Sequence, residues 1–154
     1  MTRIDFYLLS DGGGAVAAAC RLCEKAVGAG HRLYVHAPDP AAADAVDGAL
    51  WSFRQGGFVP HERHHPGSPI EDPIPPVLIG GAEPPDSHRS ILVNLAEGVP
   101  AWFSSFERVL EVVSEDPARR AQSRDRYRYY KERGYELNVF EQAADGGWLR
   151  KTAA

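Results

Sequence analysis

The sequence predicts an α/β fold, in which a largely parallel sheet is flanked by helices. Short apolar runs rich in β-branched and aromatic residues alternate with helical patterns along the chain, as in βαβ units. Two Asp-Pro pairs, Asp39-Pro40 and Asp116-Pro117, each supply an N-cap followed by proline at the first helical position. With 154 residues, the chain is long enough to bury one core and too short for two comfortable domains. We therefore expect a single α/β domain.

The first half of the chain contains two strand and helix pairs. Ile4–Leu9 (IDFYLL) is typical of a buried strand, and a glycine-rich turn follows it. From Ala15, small and apolar residues recur on one face of a helix that Gly28 or Gly30 can end. Leu33–His36 predicts the second strand, and the helix that starts at Asp39-Pro40 should reach about Trp51. The inward face of the first helix comprises Val16, Cys20, Cys23 and Val27, so we expect both cysteines to be buried and unpaired in a reducing cytosol.

The second half predicts three further strands and a last helix. Residues 54–76 are rich in Pro, Gly and His, which favours a loop. Strands are predicted at Val77–Ile79, Ile91–Leu95 and Arg108–Val113, with at most a short helix over residues 102–107. The last helix should begin at Asp116-Pro117 and end at Gly134. Residues 141–154 show no periodicity, so the sequence predicts a domain over 1–140 and a disordered C-terminal tail.

The net charge of −4 argues against a protein that coats nucleic acid through bulk charge. No segment has the roughly 20 apolar residues of a membrane span, and the N-terminus is not typical of a secretion signal. We expect a cytoplasmic protein without membrane contact. The last helix is different, because it holds seven basic and two acidic side chains, a net +5 in a chain that totals −4. Its positive charge is therefore concentrated.

A basic stripe lies along that helix, within an arc of roughly 100° at 3.6 residues per turn. Arginine forks beside a tyrosine ring can hold a carboxylate and pack an apolar side chain next to it, which favours an acidic peptide as ligand. A solvated, arginine-rich helix end remains the alternative. The pattern does not define a core-facing stripe; the opposite face would hold Ala118, Gln122, Asp125 and Tyr129. The stripe itself comprises Arg120, Arg124, Tyr127, Arg128 and Lys131.

A second aromatic group lies in LWSFRQGGFVPH, where Trp51, Phe53 and Phe58 occur within eight positions. Exposed aromatic side chains anchor protein interfaces. The alternative is that these side chains cap the core. The segment thus predicts either a partner surface or the end of the hydrophobic core.

The motifs of common active sites are absent from the sequence. The turn SDGGGA matches neither GxGxxG nor the Walker pattern. His61, His64 and His65 lack a matching second pair of metal ligands, so a solvated loop is favoured over a metal site. No nucleophile elbow or paired carboxylate stands out. We expect no catalytic residues, no cofactor and no metal.

Three blocks in order, DFYLL, then LWSF with FVPH, then RDRYRYYKERGYELN, resemble the chi subunit family of bacterial DNA polymerase III over about residues 3–140. The resemblance implies a single Rossmann-like α/β domain without a nucleotide-binding site. It also implies a non-catalytic accessory subunit of the polymerase assembly, a monomer on its own, that bridges the clamp loader to single-stranded-DNA-binding protein during replication.

The resemblance implies two partner surfaces. The acidic, phenylalanine-ending tail of single-stranded-DNA-binding protein would bind the basic stripe from Arg120 to Lys131, with Val113 at the pocket floor. The psi subunit or another clamp-loader component, and competitively a DNA-repair helicase, would bind at Trp51 and Phe58. Contact with nucleic acid would then be mainly indirect. Two alternatives stay open: direct binding of single-stranded nucleic acid by the basic helix, and a small enzyme that uses the His-rich loop.

Overall fold

A computed structural model describes residues 1–10, 14–52, 59–145 and 147–151. Among these residues, the five predicted strands and three predicted helices are present, together with three strands that were not predicted, and two single-turn 3-10 helices lie at Asp86–His88 and Phe103–Ser105. The strands are β1 Arg3–Leu8, β2 Leu33–His36, β3 His61–Arg63, β4 Val77–Gly80, β5 Ile91–Asn94, β6 Arg108–Val113, β7 Glu136–Gln142 and β8 Trp148–Lys151, and the helices are α1 Ala15–Gly28, α2 Pro40–Ser52 and α3 Pro117–Glu132.

All of the described strands join one sheet in the order β3-β4-β2-β5-β6-β1-β7-β8. Every neighbouring pair is parallel except β7 and β8, which form an antiparallel hairpin at one edge. The central strands β2, β4 and β5 are buried on both faces, as expected of parallel strands covered by helices. The predicted single-domain α/β fold is confirmed.

The two faces of the sheet carry separate hydrophobic clusters. Side chains of α1 and α2 pack over one face, around Val35, Ile79 and Leu110. The other face packs around Phe6, Leu92 and Tyr130, so α3 covers it. Because successive strand residues point to opposite faces, neighbours in β1 contribute to different clusters.

The ends of α3 agree with the prediction, and the structure defines its inward face. The Asp116 side chain accepts a hydrogen bond from the backbone N–H of Arg119 at 3.0 Å, and Gly134 ends the segment with φ of 78°, which glycine adopts without strain. The buried residues are Ser123, Arg126 and Tyr130, a face that the sequence pattern left undefined. Arg126 and Tyr130 face inward, where both donate hydrogen bonds to the buried carboxylate of Glu111 in β6.

The predicted disorder after Phe140 is wrong for the described residues 141–145 and 147–151. β7 continues to Gln142, and β8 follows after a short turn. Trp148 of this hairpin packs edge to face on Tyr7, with ring centroids 5.0 Å apart, a contact that helps to hold β8 against the sheet. The predicted loop over 54–76 also contains the short strand β3, which pairs with β4.

Cys20 and Cys23 are buried in α1 and unpaired, as predicted. Burial raises the pKa of the Cys20 thiol to about 11 and raises the pKa of the Cys23 thiol as well. Both groups are therefore protonated at neutral pH and chemically quiet. Among the helices of the described residues, none combines the length and the apolar character that a bilayer crossing requires.

Candidate functional site

A cavity of about 260 Å³ lies between α3 and the strands β1 and β7. We call it the α3 cavity. It lies towards the carboxyl ends of the parallel strands, the edge at which α/β sheets most often bind ligands. Its described lining residues are Phe6, Leu8, Arg120, Ser123, Arg124, Tyr127 and Val139.

The floor of the α3 cavity is apolar. Phe6 and Val139 are register partners in β1 and β7, so they lie side by side on the same sheet face as Leu8. The Tyr127 ring meets the Phe6 ring edge on, with centroids 5.6 Å apart and planes at 60°. Leu8, Tyr127 and Val139 are only half-buried, so apolar surface is left available to a ligand.

Arg120 is held in place by the backbone at the carboxyl edge of the sheet. Its Nε donates to the carbonyl of Ser114 at 3.0 Å, and its Nη2 donates to the carbonyl of Leu9. These carbonyls follow the neighbouring strands β6 and β1. The guanidinium is therefore oriented before any ligand arrives, which lowers the entropy cost of binding.

Arg124 differs from Arg120 because its side chain is exposed and makes no hydrogen bond or ion pair with any described residue. An unpaired guanidinium beside an apolar floor is suited to receive a carboxylate through two parallel hydrogen bonds. With Arg120 oriented and Arg124 available, the α3 cavity presents two positive charges next to an aromatic wall.

The rest of the predicted stripe does not line the α3 cavity. Arg128 pairs with Asp125 on the same helix. Lys131 is exposed one turn further along α3. Both side chains contribute positive charge near the cavity, although Arg128 is partly neutralised by its partner.

Val113 does not form the floor of the α3 cavity. It is the last residue of β6, is 1% exposed, and lines a separate cavity of about 170 Å³ together with Arg119 and Arg126. The floor position belongs to Phe6, Leu8 and Val139 instead. None of these three residues was predicted as a site residue. For Val139, the alternation of Leu137 and Val139 in ELNVF was the available signal for a strand.

A buried polar network fixes α3 on the sheet. Glu111 of β6 is fully buried and accepts hydrogen bonds from Arg126 Nε at 3.0 Å, Tyr130 Oη at 2.6 Å and Asn94 Nδ2 at 3.1 Å. Burial raises the pKa of the Glu111 carboxyl, and the Arg126 charge opposes that rise. One of the seven basic side chains of the α3 segment is thus internal, and the network sets which α3 residues face the cavity.

The second predicted partner surface is described only at Trp51. Its side chain is 62% exposed at the end of α2, and its ring lies 5.4 Å from that of His61 at 72°. The alternative that Trp51 caps the core is therefore wrong. Phe58 and Phe53 lie outside the described residues.

The His-rich segment makes local contacts. His61 lies 2.7 Å from Asp47 Oδ1 and 2.7 Å from the carbonyl of Val59, whereas His65 is exposed. Within the described ranges, no three His, Cys, Asp or Glu side chains are grouped as metal ligands would be. The α3 cavity is the candidate site in which residues predicted from the sequence meet, and its chemistry suits an anionic ligand with an apolar side chain.

Comparison with known proteins identifies a family that this chain matches. The sequence model of the family described as DNA polymerase III chi subunit, HolC, matches residues 1–138. DNA polymerase III subunit chi of Pseudomonas aeruginosa is 43% identical over 89% of this chain and 94% of its own length. The Escherichia coli subunit of the same name is 28% identical over 90% of this chain and 97% of its own.

A solved structure shares the fold. A chain in the crystal structure of T4 UvsW superposes with a TM-score of 0.62 at 7% identity, covering 91% of this chain. This chain spans only 41% of that one, and the likeness concerns the fold alone. The family match, by contrast, covers β1, α3 and the start of β7, and it includes every described lining residue of the α3 cavity except Val139. This chain therefore belongs to the family of DNA polymerase III chi subunits, accessory subunits of the replicative polymerase.

Proposed function

We propose that this chain is a non-catalytic adaptor that binds the acidic C-terminal tail of single-stranded-DNA-binding protein in the α3 cavity and joins it to the clamp-loader side of the polymerase. The observation that carries the proposal is the α3 cavity itself, where an apolar floor lies beside the oriented Arg120 and the unpaired Arg124. Membership of the chi family supports the replicative setting.

The proposed binding mode assigns each side of the cavity to one part of the tail. The terminal phenylalanine ring packs on Phe6, Leu8 and the Tyr127 ring, which together offer apolar and edge-on aromatic contact. Its carboxylate is held by Arg120 and Arg124. Preceding aspartates face the charges of Arg128 and Lys131, which contribute less because they are more exposed.

Titration of an aspartate-rich peptide with a C-terminal phenylalanine tests the pocket. Arg124→Ala should lower affinity about tenfold or more, because a hydrogen bond to a charged group contributes roughly 1.5–3 kcal/mol. Tyr127→Ala should lower it by a similar factor, because it removes the aromatic wall against which the terminal ring packs. Arg119→Ala is the matched control, since Arg119 lies on the same helix but outside the cavity. Equal loss for Arg119→Ala and Arg124→Ala, or no loss for either, would show that the tail binds elsewhere.

The same helix could bind single-stranded nucleic acid directly, and an oligonucleotide titration separates the two functions. The proposal predicts weak binding of naked single strands at physiological salt, since the remainder of the chain is acidic. Tight binding that falls steeply with salt would instead assign α3 to phosphate contacts.

For the other end of the adaptor, we propose that Trp51 contacts psi, another clamp-loader component or, in competition, a repair helicase. Its 62% exposure supports this, because aromatic side chains contribute strongly to interfaces. Trp51→Ala should lose clamp-loader subunits in a pull-down from cells and retain tail-peptide affinity. Retention of the clamp-loader subunits would contradict the assignment.

A further inference from the structure

A second cavity lies on the opposite face of the sheet from α3 and is not used by the proposed adaptor function. Its volume is about 350 Å³, within the roughly 300–1,000 Å³ range of small-ligand sites. We call it the α1 cavity, because the last turn of α1 forms one side. It is lined by Tyr7, Leu22, Lys25, Ala26, Ala29, His31, Arg108, Leu110, Phe140 and Trp148.

Three aromatic rings form one wall of the α1 cavity. Tyr7 stacks on Phe140 with centroids 5.0 Å apart and planes within 15°, and Trp148 meets Tyr7 edge on at 5.0 Å. Phe140 and Trp148 remain half-exposed. The wall therefore offers flat apolar surface whose shape is fixed by mutual packing.

The polar side of the α1 cavity is positively charged. Arg108 is oriented by two hydrogen bonds of 2.6 Å, from Nε to Asp5 and from Nη2 to the Tyr7 hydroxyl. These contacts leave Nη1 without a hydrogen bond to any described residue. Lys25 is exposed in the last turn of α1 and has no ion pair within the described ranges.

The acidic groups nearby do not line the cavity. The Asp5 carboxylate is used by Arg108. Glu107 accepts a hydrogen bond from Ser90 at 3.3 Å, and Ser90 in turn contacts His31 Nδ1 at 3.1 Å. No described lining residue is acidic, in a chain whose net charge is −4. The charged side chains of the lining are basic, which favours an anionic ligand.

We propose that the α1 cavity binds a carboxylate attached to a compact aromatic or branched apolar group. The apolar group would pack against Phe140 and Trp148, and the carboxylate would pair with Lys25 and Arg108 Nη1. A free organic acid and the C-terminal residue of a peptide share this chemistry. The site lies partly outside the family match, which ends at residue 138, so both Phe140 and Trp148 belong to the part of the chain beyond it.

Titration of the full chain with 3-phenylpropionate, followed by tryptophan fluorescence, tests the site. The Arg124→Ala background weakens any binding of the acid at the α3 cavity. We expect saturable binding of the acid, and little binding of 3-phenylpropylamine, which has a similar body and the opposite charge.

Two variants locate the bound acid. Lys25→Glu should weaken it roughly 5-fold or more, as expected for loss and reversal of a partly exposed ion pair, and Ala29→Phe should weaken it by filling the cavity. Lys131→Glu is the matched control, with the same charge change on α3. Equal affinity for acid and amine, or equal effects of Lys25→Glu and Lys131→Glu, would overturn the site.

The source of the ligand is distinguished by a second titration, with an uncharged peptide that ends in phenylalanine. Tighter binding of the peptide than of the free acid would assign the site to a protein tail, and the reverse order would assign it to a small molecule. Failure of the peptide and the acid alike would overturn the site without affecting the adaptor function, because Arg124 does not contribute to the α1 cavity.

Discussion

Glu111 shows how one residue determines the orientation of a helix. A buried carboxylate is costly unless it is paired and hydrogen-bonded, and here Arg126, Tyr130 and Asn94 all donate to it. Two of these donors belong to α3, so rotation of the helix would break both contacts. The exposure of Arg124 and Tyr127 over the α3 cavity follows from this pairing.

Removal of one member of the Glu111 and Arg126 pair should be strongly destabilising. Glu111→Leu leaves the Arg126 charge buried without its partner, so we expect a loss of about 3–5 kcal/mol in the free energy of unfolding, measured by urea denaturation. The double variant with Arg126→Met should recover part of that loss. Strictly additive losses in the two single variants would show that the pair is not coupled.

His88 should make stability depend on pH. Its ring is fully buried, 2.7 Å from the carbonyl of Pro75 and 2.7 Å from the Ser87 hydroxyl, and burial lowers its pKa below 6.5. Below pH 6.5 the unfolded chain therefore binds more protons than the folded one. The contribution of His88 to the free energy of unfolding should be complete above about pH 6.5. It should decrease as the pH drops towards the lowered pKa of the folded state.

Urea denaturation at about pH 7.5 and about pH 5.5 measures this dependence. His88→Gln should be less stable at the higher pH and should lose less on acidification than the unchanged chain. Burial also lowers the pKa values of His36 and His64. Because of these two residues, the free energy of unfolding of the variant should still depend on pH to some extent. An undiminished loss in His88→Gln would assign the pH dependence to those two residues.

Individual residues were predicted unevenly by the sequence. The stripe members Arg120, Arg124 and Tyr127 could be found because helical periodicity places them on one face. Arg126 and Glu111 could not be recognised as an internal pair, because each looks like a surface residue until β6 and α3 are in contact. Val113 was wrongly predicted at the floor of the α3 cavity. A sequence resemblance identifies the matching position, but it does not show which side chains surround that position in this chain.

At the scale of elements, capping decides where α3 begins. The Asp116 carboxylate satisfies the N–H of Arg119, one of the otherwise unpaired donors of the first turn. Asp116→Ala should lower the free energy of unfolding by about 1 kcal/mol. Asp125→Ala serves as control, since its exposed pair with Arg128 should contribute less; an equal loss would show that the cap adds nothing specific.

The elements that were predicted lie within one or two residues of their observed bounds, whereas β7 was missed although ELNVF alternates. β2 and β6 lie where their continuous apolar runs indicated, and both Asp-Pro pairs begin helices. β3 has only three residues, and β8 (WLRK) is mostly exposed, so neither has a hydrophobic pattern of its own. Their pairing with neighbours, which is a long-range property, makes them strands.

At the scale of the molecule, the β8 hairpin should stabilise the fold without affecting the α3 cavity. A chain that ends at Ala143 loses the contact of Trp148 with Tyr7, so the free energy of unfolding should fall by about 1–3 kcal/mol. Its affinity for the acidic tail peptide should stay unchanged, because β1 still holds β7 in register.

Denaturation and peptide titration of the shortened chain measure the two effects. The α1 cavity loses a wall in this variant, so binding of 3-phenylpropionate should also weaken. A parallel loss of tail-peptide affinity would show that the two faces of the sheet are coupled.

Fold class was predictable because it depends on the alternation of elements, which the sequence carries locally. The strand order was not, because it depends on which strands pair. The consequence for function is direct: Val139 lines the α3 cavity only because β7 lies beside β1, and Phe140 lines the α1 cavity for the same reason. Neither role can be predicted from the sequence unless the pairing of β7 with β1 is known.

The hairpin at the sheet edge also bears on solubility. β7 (ELNVFEQ) is a seven-residue strand with apolar residues on both faces, and without β8 its outer edge would be open to pairing with another copy of the chain. β8 closes that edge and places Arg150 and Lys151 in its own exposed strand. Charged residues on an edge strand discourage further addition, so β8 should limit edge-to-edge association between copies of this chain.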